Sequence, residues 1–164
     1  FSFLVGQARI QQHVWLDGAE LPFAPVPVQG GAAATAPAPY DRPGTTPAGG
    51  PTVRVPLLRI AHGRSGDKGD TSNIGVIARS PAAFVWLQQV LSAGIVKDYF
   101  AHVAEGDVRR YTLPGFHALN FVLEHALGGG GVASLRYDPQ GKAFAQMLLD
   151  LELDVPQAVL ESLP

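Results

Sequence analysis

The sequence predicts an α+β fold, in which one mainly antiparallel sheet carries helices on one face. Candidate strands and helices are mixed along residues 53–156 in the order ββααβαβαβ, without the strict alternation of a parallel α/β protein. The chain has 164 residues, of which 46% are hydrophobic, and this is enough for one core of ordinary size. We therefore expect a two-layer α+β sandwich.

Composition excludes several classes of function. The net charge is −2 and Lys and Arg form no long run, so we expect no nucleic-acid partner. Cysteine is absent, which excludes disulfides, cysteine zinc sites and thiol catalysis. No apolar stretch approaches the roughly 20 residues that span a bilayer, and residues 1–5 lack the pattern of a signal peptide. We expect no membrane partner and a cytoplasmic location.

The first part of the chain predicts a hairpin followed by a linker. In residues 1–23, apolar segments flank Asp17-Gly18, a dipeptide that suits a type I′ turn. Because two strands alone are marginal in water, we expect this hairpin to pack on the main domain or on a preceding domain. Residues 24–52 contain seven Pro, five Gly and seven Ala, a composition typical of an extended linker.

The main domain, residues 53–156, opens with a predicted strand over 53–62 and a buried strand over 74–78. Ser80-Pro81 then combines an N-cap with proline at the first helical position, and so predicts a helix that Gly94 ends. A second helical stretch is predicted over 95–103.

Five further elements and a tail complete the predicted domain. Residues 108–113 predict a strand. The 3/4 spacing of apolar residues in 117–127 predicts a helix. The remaining predictions are a strand over 132–137, a helix beginning at Asp138-Pro139, an alternating strand over 149–155 and a short helical tail within 157–164.

Residues 62–73 stand apart because they concentrate charge and glycine in a chain with few charges. They are predicted to form a loop between two strands, longer than a hairpin needs. Glycines at 63, 66 and 69 would let backbone N–H groups approach an anion, and Arg64 and Lys68 could bind a phosphate or carboxylate. The loop matches neither a Walker A sequence nor a dinucleotide fingerprint.

Two other interpretations of this segment remain open. Asp67 and Asp70 would repel an anion unless they are paired or bound to a metal ion. The segment also fits a rigid structural loop, in which Asp and Ser form Asx-type turns, Arg64 pairs with an aspartate and the glycines adopt left-handed angles. The two carboxylates and hydroxyl oxygens could also hold Mg²⁺, although this is the weakest of the three interpretations. Ser65 lacks the spacing of a nucleophile elbow, so covalent catalysis is not favoured.

Polar residues outside residues 62–73 give weaker evidence of a binding site. His117, Asn120 and Glu124 would form a stripe on the predicted helix 117–127, and such a stripe is typical of a solvated face. Asn120 and His117 would matter if this stripe faced the charged loop. Lys142, at the predicted start of a helix, could also meet an anion.

Several separated motifs resemble one family. Residues 59–70 (RIAHGRSGDKGD) and 73–79 (NIGVIAR) resemble the C-terminal domain of the AtuA-like family, the acyclic terpene utilisation proteins. The resemblance continues in order through residues 99–102, 113–121, 127–131 and 138–142, and covers about residues 53–155. It implies a ferredoxin-like α+β domain preceded by a larger AtuA-type domain, of which residues 1–23 would be the last hairpin.

The resemblance also implies a role in the breakdown of citronellol- and geraniol-type terpenes through acyl-CoA intermediates. It assigns no catalytic residue, cofactor or metal. Three hypotheses follow. The first is a module that docks on the AtuA-type domain, drives homo-oligomerisation and contributes its Gly-rich charged loop to a ligand or subunit interface. The second is a catalytic domain or half-site for an acyl-CoA or carboxylate, and the third is a stand-alone metal- or phosphate-binding protein. The candidate ligand-binding residues are Arg64, Ser65, Asp67, Lys68, Asp70, Asn73, His117 and Asn120.

Overall fold

The structure, a computed structural model, describes residues 5–24, 50–113 and 115–164. The chain divides into two units, with described residues 5–24 in the first and 50–164 in the second. The predicted linker, residues 24–52, lies outside the described residues except for its two ends.

The first unit contains a hairpin of β1 (Val14–Leu16) and β2 (Ala19–Leu21). Asp17 and Gly18 form its turn with φ angles of 49° and 78°, the left-handed values that a type I′ turn requires. Every strand residue of this hairpin is exposed, and Trp15 retains 63% of its accessible surface. The hairpin therefore has no core of its own.

The second unit is built on a four-stranded antiparallel sheet, whose strands are β4 (Ala61–Lys68), β5 (Thr71–Ala78), β6 (Val108–Leu113) and β7 (Ala118–Leu123). Their order in the sheet is β4-β5-β7-β6. A separate antiparallel ribbon pairs β3 (Thr52–Pro56) with β8 (Glu152–Pro156).

The helices of the second unit are α1 (Pro81–Val90), α2 (Ala93–Tyr99), α3 (Phe144–Leu149) and α4 (Gln157–Glu161). α1 and α3 pack against β5, α3 also packs against β4, and α2 packs against β6. The predicted α+β arrangement, an antiparallel sheet with helices packed on it, is confirmed.

The core lies between these helices and one face of the sheet. Side chains of alternate strand residues enter it, among them Ile74, Leu119 and Phe121, each at most 1% exposed. Buried Arg110 lies on the same face, and its Nη1 donates to the carbonyl oxygens of Gln88 (2.8 Å) and Leu91 (2.9 Å) at the end of α1. A cation there satisfies the carbonyl groups that a helix leaves unpaired at its C-terminus.

The charged segment is not a loop, and this prediction was wrong. Residues 61–68 and 71–78 are the paired strands β4 and β5, joined by a turn at Gly69-Asp70. The glycines led to a wrong prediction because two of them, Gly63 and Gly66, fit close packing within a strand and not a loop conformation. A Cβ atom at Gly63 would lie 3.2 Å from a Leu149 methyl carbon, and one at Gly66 would lie 3.3 Å from Lys142 Nζ.

The predicted helix over 117–127 was also wrong, because most of this segment is the strand β7. Leu119, Phe121 and Leu123 alternate into the core. The 3/4 pattern of Leu119, Val122, Leu123 and Ala126 arose because the outward residue Val122 is apolar as well. β7 lies between β5 and β6 in the sheet and is hydrogen-bonded along both edges.

Several boundaries also differ from the predictions. The predicted first strand is interrupted after Pro56 by a 3-10 turn, Leu57–Arg59. Residues 132–137 form no strand. The helix expected at Asp138 begins only at Phe144, because the Asp138 carboxylate accepts from the backbone N–H groups of Lys142 (2.9 Å) and Ala143 (2.8 Å) and holds a turn there.

Candidate functional site

The sheet has an open face, which we define by its outward side chains. Burial alternates along each strand, so the residues between the core positions point away from the helices. The strand register orders them in rows, which run His62–Ile77–Ala118–Leu113, then Arg64–Gly75–Asn120–Tyr111, then Gly66–Asn73–Val122–Arg109. One end of the open face is thus apolar, and its centre is polar.

A shallow depression lies at the β4 edge of the open face, where two glycines leave the sheet without side chains. Gly66 and Gly75 sit in neighbouring rows, and a Cβ atom at Gly75 would meet only the Arg64 carbonyl oxygen, at 3.8 Å. The cavity measures about 290 Å³. It is lined by Arg64, Ser65, Gly66, Asp67, Lys68, Asn73, Gly75 and Lys142. We call this cavity the basic depression.

The basic depression carries three cations and one carboxylate. Lys142 comes from the segment before α3, and its Nζ lies 3.9 Å from Asp67 Oδ1. The Lys68 ammonium donates to the carbonyl oxygen of Asp67 at 3.0 Å. Among the described residues, Arg64 has no carboxylate within ion-pair distance. The excess of positive charge suits a phosphate or carboxylate.

Ser65 lines the basic depression, but its hydroxyl is engaged elsewhere. Its Oγ accepts from the Ala145 N–H at 2.9 Å and donates to the Lys142 carbonyl oxygen at 3.1 Å. The residue is 9% exposed. These two bonds tie β4 to the start of α3 and place Lys142 beside Asp67, so Ser65 positions the site.

Asn73 and Asn120 are joined across the centre of the open face. Asn73 Nδ2 donates to Asn120 Oδ1 at 2.7 Å between β5 and β7. Each amide keeps hydrogen-bonding capacity beyond this bond. The pair therefore offers polar groups beside the basic depression.

Asp70 is engaged at the tip of the β4–β5 hairpin. Its Oδ1 accepts from the Gly129 N–H at 2.7 Å, and its Oδ2 lies 3.1 Å from His125 Nδ1. The pKa of Asp70 is lowered chiefly by the Gly129 hydrogen bond; burial opposes this, and hydrogen bonds from His125 and the Leu127 N–H lower the pKa further. Asp70 thus holds the glycine run Gly128–Gly131 against the hairpin and does not line the basic depression.

His117 lies at the other end of the sheet. It precedes β7 with a φ angle of 48°, and its carbonyl oxygen accepts from the Ala78 N–H at 3.0 Å. Its ring packs on Phe84 with centroids 5.4 Å apart. The structure therefore brings Arg64, Ser65, Asp67, Lys68 and Asn73 together beside Asn120, and separates them from Asp70 and His117.

The apolar end of the open face, which is the row His62–Ile77–Ala118–Leu113, was not predicted from the sequence. Ile77 and Leu113 retain 51% and 39% of their accessible surface although both lie within strands. In the next rows, Tyr111 and Arg109 also point outward, and Arg109 pairs with Glu124. The alternation of Arg109, Tyr111 and Leu113 along a predicted strand was the signal that could have indicated this face.

Metal clusters and membrane-spanning helices are absent from the described residues. No cluster of three or more His, Asp or Glu side chains in this part of the chain is arranged to hold a metal ion. Within the described ranges, no helix has both the length and the hydropathy to cross a membrane.

Comparison with known proteins identifies the family. No curated protein and no solved structure matches the chain. The profile of the AtuA ferredoxin-like domain matches residues 55–154, which is more than half of the chain. The match agrees with the antiparallel sheet and packed helices of the second unit. The chain belongs to the AtuA ferredoxin-like domain family.

Proposed function

We propose that residues 53–156 form a docking module that joins an AtuA-type domain through the open face of its sheet. The observation that carries the proposal is the asymmetry of the sheet: helices cover one face, while the other exposes Ile77 and Leu113 beside polar groups. Apolar side chains next to a polar region are typical of protein interfaces. Phe116, in the turn before β7, is also 73% exposed.

The remainder of the chain fits the same role. In this proposal, residues 1–23 form the last hairpin of the AtuA-type domain, residues 24–52 are the linker, and residues 157–164 are a tail. The exposed Trp15 and Leu16 of the hairpin, at 63% and 60%, support a partner for that unit, because two exposed strands have no core of their own. The setting would be the cytoplasmic breakdown of acyclic terpenes, which the family name suggests.

The docking proposal is tested by titration calorimetry between the 164-residue chain and a separately expressed AtuA-type domain. Ile77→Asp places a charge on the open face, and Val85→Asp places one on α1 at a comparable exposure, 43% against 51%. We expect Ile77→Asp to weaken binding about tenfold or more and Val85→Asp to leave it nearly unchanged. Equal effects, or no binding by the unchanged chain, would refute the proposal.

Homo-oligomerisation belongs to the same proposal and has its own measurement. A second copy could occupy the open face in place of the AtuA-type domain. Sedimentation of the chain alone, with and without Ile77→Asp, would show concentration-dependent association that the substitution removes. A monomer at all concentrations would leave the AtuA-type domain as the partner of this face.

The second candidate function is a catalytic or ligand-binding half-site, and the basic depression favours it. Three cations around one carboxylate could hold the phosphate or carboxylate of an acyl-CoA or related acid. We expect Asp67→Ala combined with Lys68→Ala, in the protein joined to its AtuA-type domain, to abolish ligand binding with little change in melting temperature. A large loss of stability with intact binding would identify a structural role instead.

A further inference from the structure

A second cavity, which neither candidate function uses, lies beside the end of β3. It measures about 410 Å³, within the range of small-molecule sites. Its walls come from the end of β3, the 3-10 turn, the segment after β5 and the last residues of the chain. It is lined by Val55, Pro56, Leu58, Arg59, Arg79, Leu163 and Pro164. We call it the arginine cavity.

The lining of the arginine cavity combines aliphatic walls with two guanidinium groups. Five of its seven lining residues are Val, Leu or Pro, and Leu58 is 48% exposed. No ion pair among the described residues includes Arg59 or Arg79. Two cations beside one cavity repel each other unless an anion lies between them.

The backbone around the arginine cavity is fixed before any ligand arrives. Leu57 is fully buried, and its N–H donates to the Leu151 carbonyl oxygen at 2.8 Å, which anchors the 3-10 turn. Arg79 donates from its backbone N–H to the Ile60 carbonyl oxygen (2.9 Å) and from Nε to that of Leu58 (3.2 Å). The terminal nitrogens of Arg79 remain able to donate elsewhere.

We propose that the arginine cavity binds a carboxylate with an aliphatic tail. The planar guanidinium of Arg79 matches a carboxylate with two parallel hydrogen bonds, while Arg59 adds a second positive charge. The walls formed by Val55, Leu58 and Leu163 would cover the tail. Neither a free inorganic anion nor an uncharged alcohol satisfies both parts of the lining.

The test is binding of octanoate to the 164-residue chain, followed by titration calorimetry and by chemical-shift changes at residues 58 and 79. Octan-1-ol and inorganic phosphate are the comparison ligands. We expect saturable binding of octanoate, with both comparison ligands weaker. Arg79→Gln should weaken octanoate binding about tenfold or more, because it removes a charged pair of hydrogen bonds.

Two control variants make the result decisive. Arg54→Gln removes the same charge from β3 at a residue outside the cavity lining, and we expect it to leave octanoate binding unchanged. Arg79→Lys keeps the charge without the planar fork, and we expect an intermediate affinity. Binding that is absent, that is equal for octanol, or that Arg54→Gln weakens as much as Arg79→Gln would overturn the proposal.

Discussion

The contact between the glycine run and the β4–β5 hairpin predicts a large difference between two Gly→Ala substitutions. Gly130 has a φ angle of 78° and Gly69 one of 68°, so alanine is strained at both positions. Their surroundings differ. A Cβ atom at Gly130 would lie 2.7 Å from the Gly69 carbonyl carbon and closer still to its oxygen, whereas one at Gly69 would have nothing within 4 Å.

The expected magnitudes follow from these contacts. Gly69→Ala should lower the free energy of unfolding by the cost of a left-handed alanine alone, about 1–2 kcal/mol. Gly130→Ala carries the same cost, and it must also displace the backbone of the hairpin turn, which adds about 1–3 kcal/mol typical of overpacking. The difference between the two variants isolates the contact from the backbone strain.

Urea unfolding, monitored by far-ultraviolet circular dichroism, gives the free energy of unfolding of both variants and of the unchanged chain. Equal m-values would show that the three proteins expose the same surface on unfolding, so that their free energies can be compared. We expect Gly130→Ala to be the less stable variant by more than about 1 kcal/mol. Equal free energies of unfolding for the two variants would mean that the glycine run is not in close contact with the hairpin. Asp70 would then have no such contact to hold in place.

Three further predictions concern single side chains. Asp70→Asn should reduce stability at neutral pH. This effect should begin to fade as the pH falls below about 4, the ordinary pKa of aspartate, and should disappear once the pH is below the lowered pKa of folded Asp70, because the carboxylate stabilises the fold only while it is charged; thermal unfolding from pH 7 into the acid range measures this. Arg110→Leu should cost about 2–3 kcal/mol by leaving carbonyl groups at the end of α1 unpaired, measured in urea. Ser65→Ala should cost about 1–2 kcal/mol and speed amide exchange at Ala145.

These single-residue predictions have clear contrary outcomes. A stability difference for Asp70→Asn that persists or grows at low pH would contradict the pKa argument. Wild-type stability of Arg110→Leu would show that water satisfies the helix end, and unchanged exchange at Ala145 in Ser65→Ala would show that another group accepts its hydrogen bond.

Local sequence patterns correctly predicted a strand, β6, and the start of a helix, α1. The predicted strand 108–113 coincides with β6, and Ser80 caps α1 as its sequence indicates, accepting from the Ala83 N–H at 3.0 Å. β7 was missed because a strand with apolar residues on both faces also matches a helical period. Only its neighbours on both sides in the sheet, β5 and β6, make the strand the stable choice.

The candidate site was predictable only where its residues are close in sequence. Arg64, Asp67 and Lys68 share one strand, so their clustering is visible in the chain. Lys142 reaches the basic depression because Ser65 holds the segment before α3, and Asn120 reaches Asn73 through the register of β5 and β7. Both contacts depend on tertiary structure that no local pattern encodes.

The docking role of the open face is tested most directly by cysteine protection. The chain contains no cysteine, so Ile77→Cys and Val85→Cys each introduce one thiol, on the open face and on α1 respectively. Maleimide labelling rates are measured with and without a saturating AtuA-type domain. We expect the partner to slow labelling at position 77 and to leave the rate at position 85 unchanged; equal rates at position 77 with and without the partner would refute the docking role.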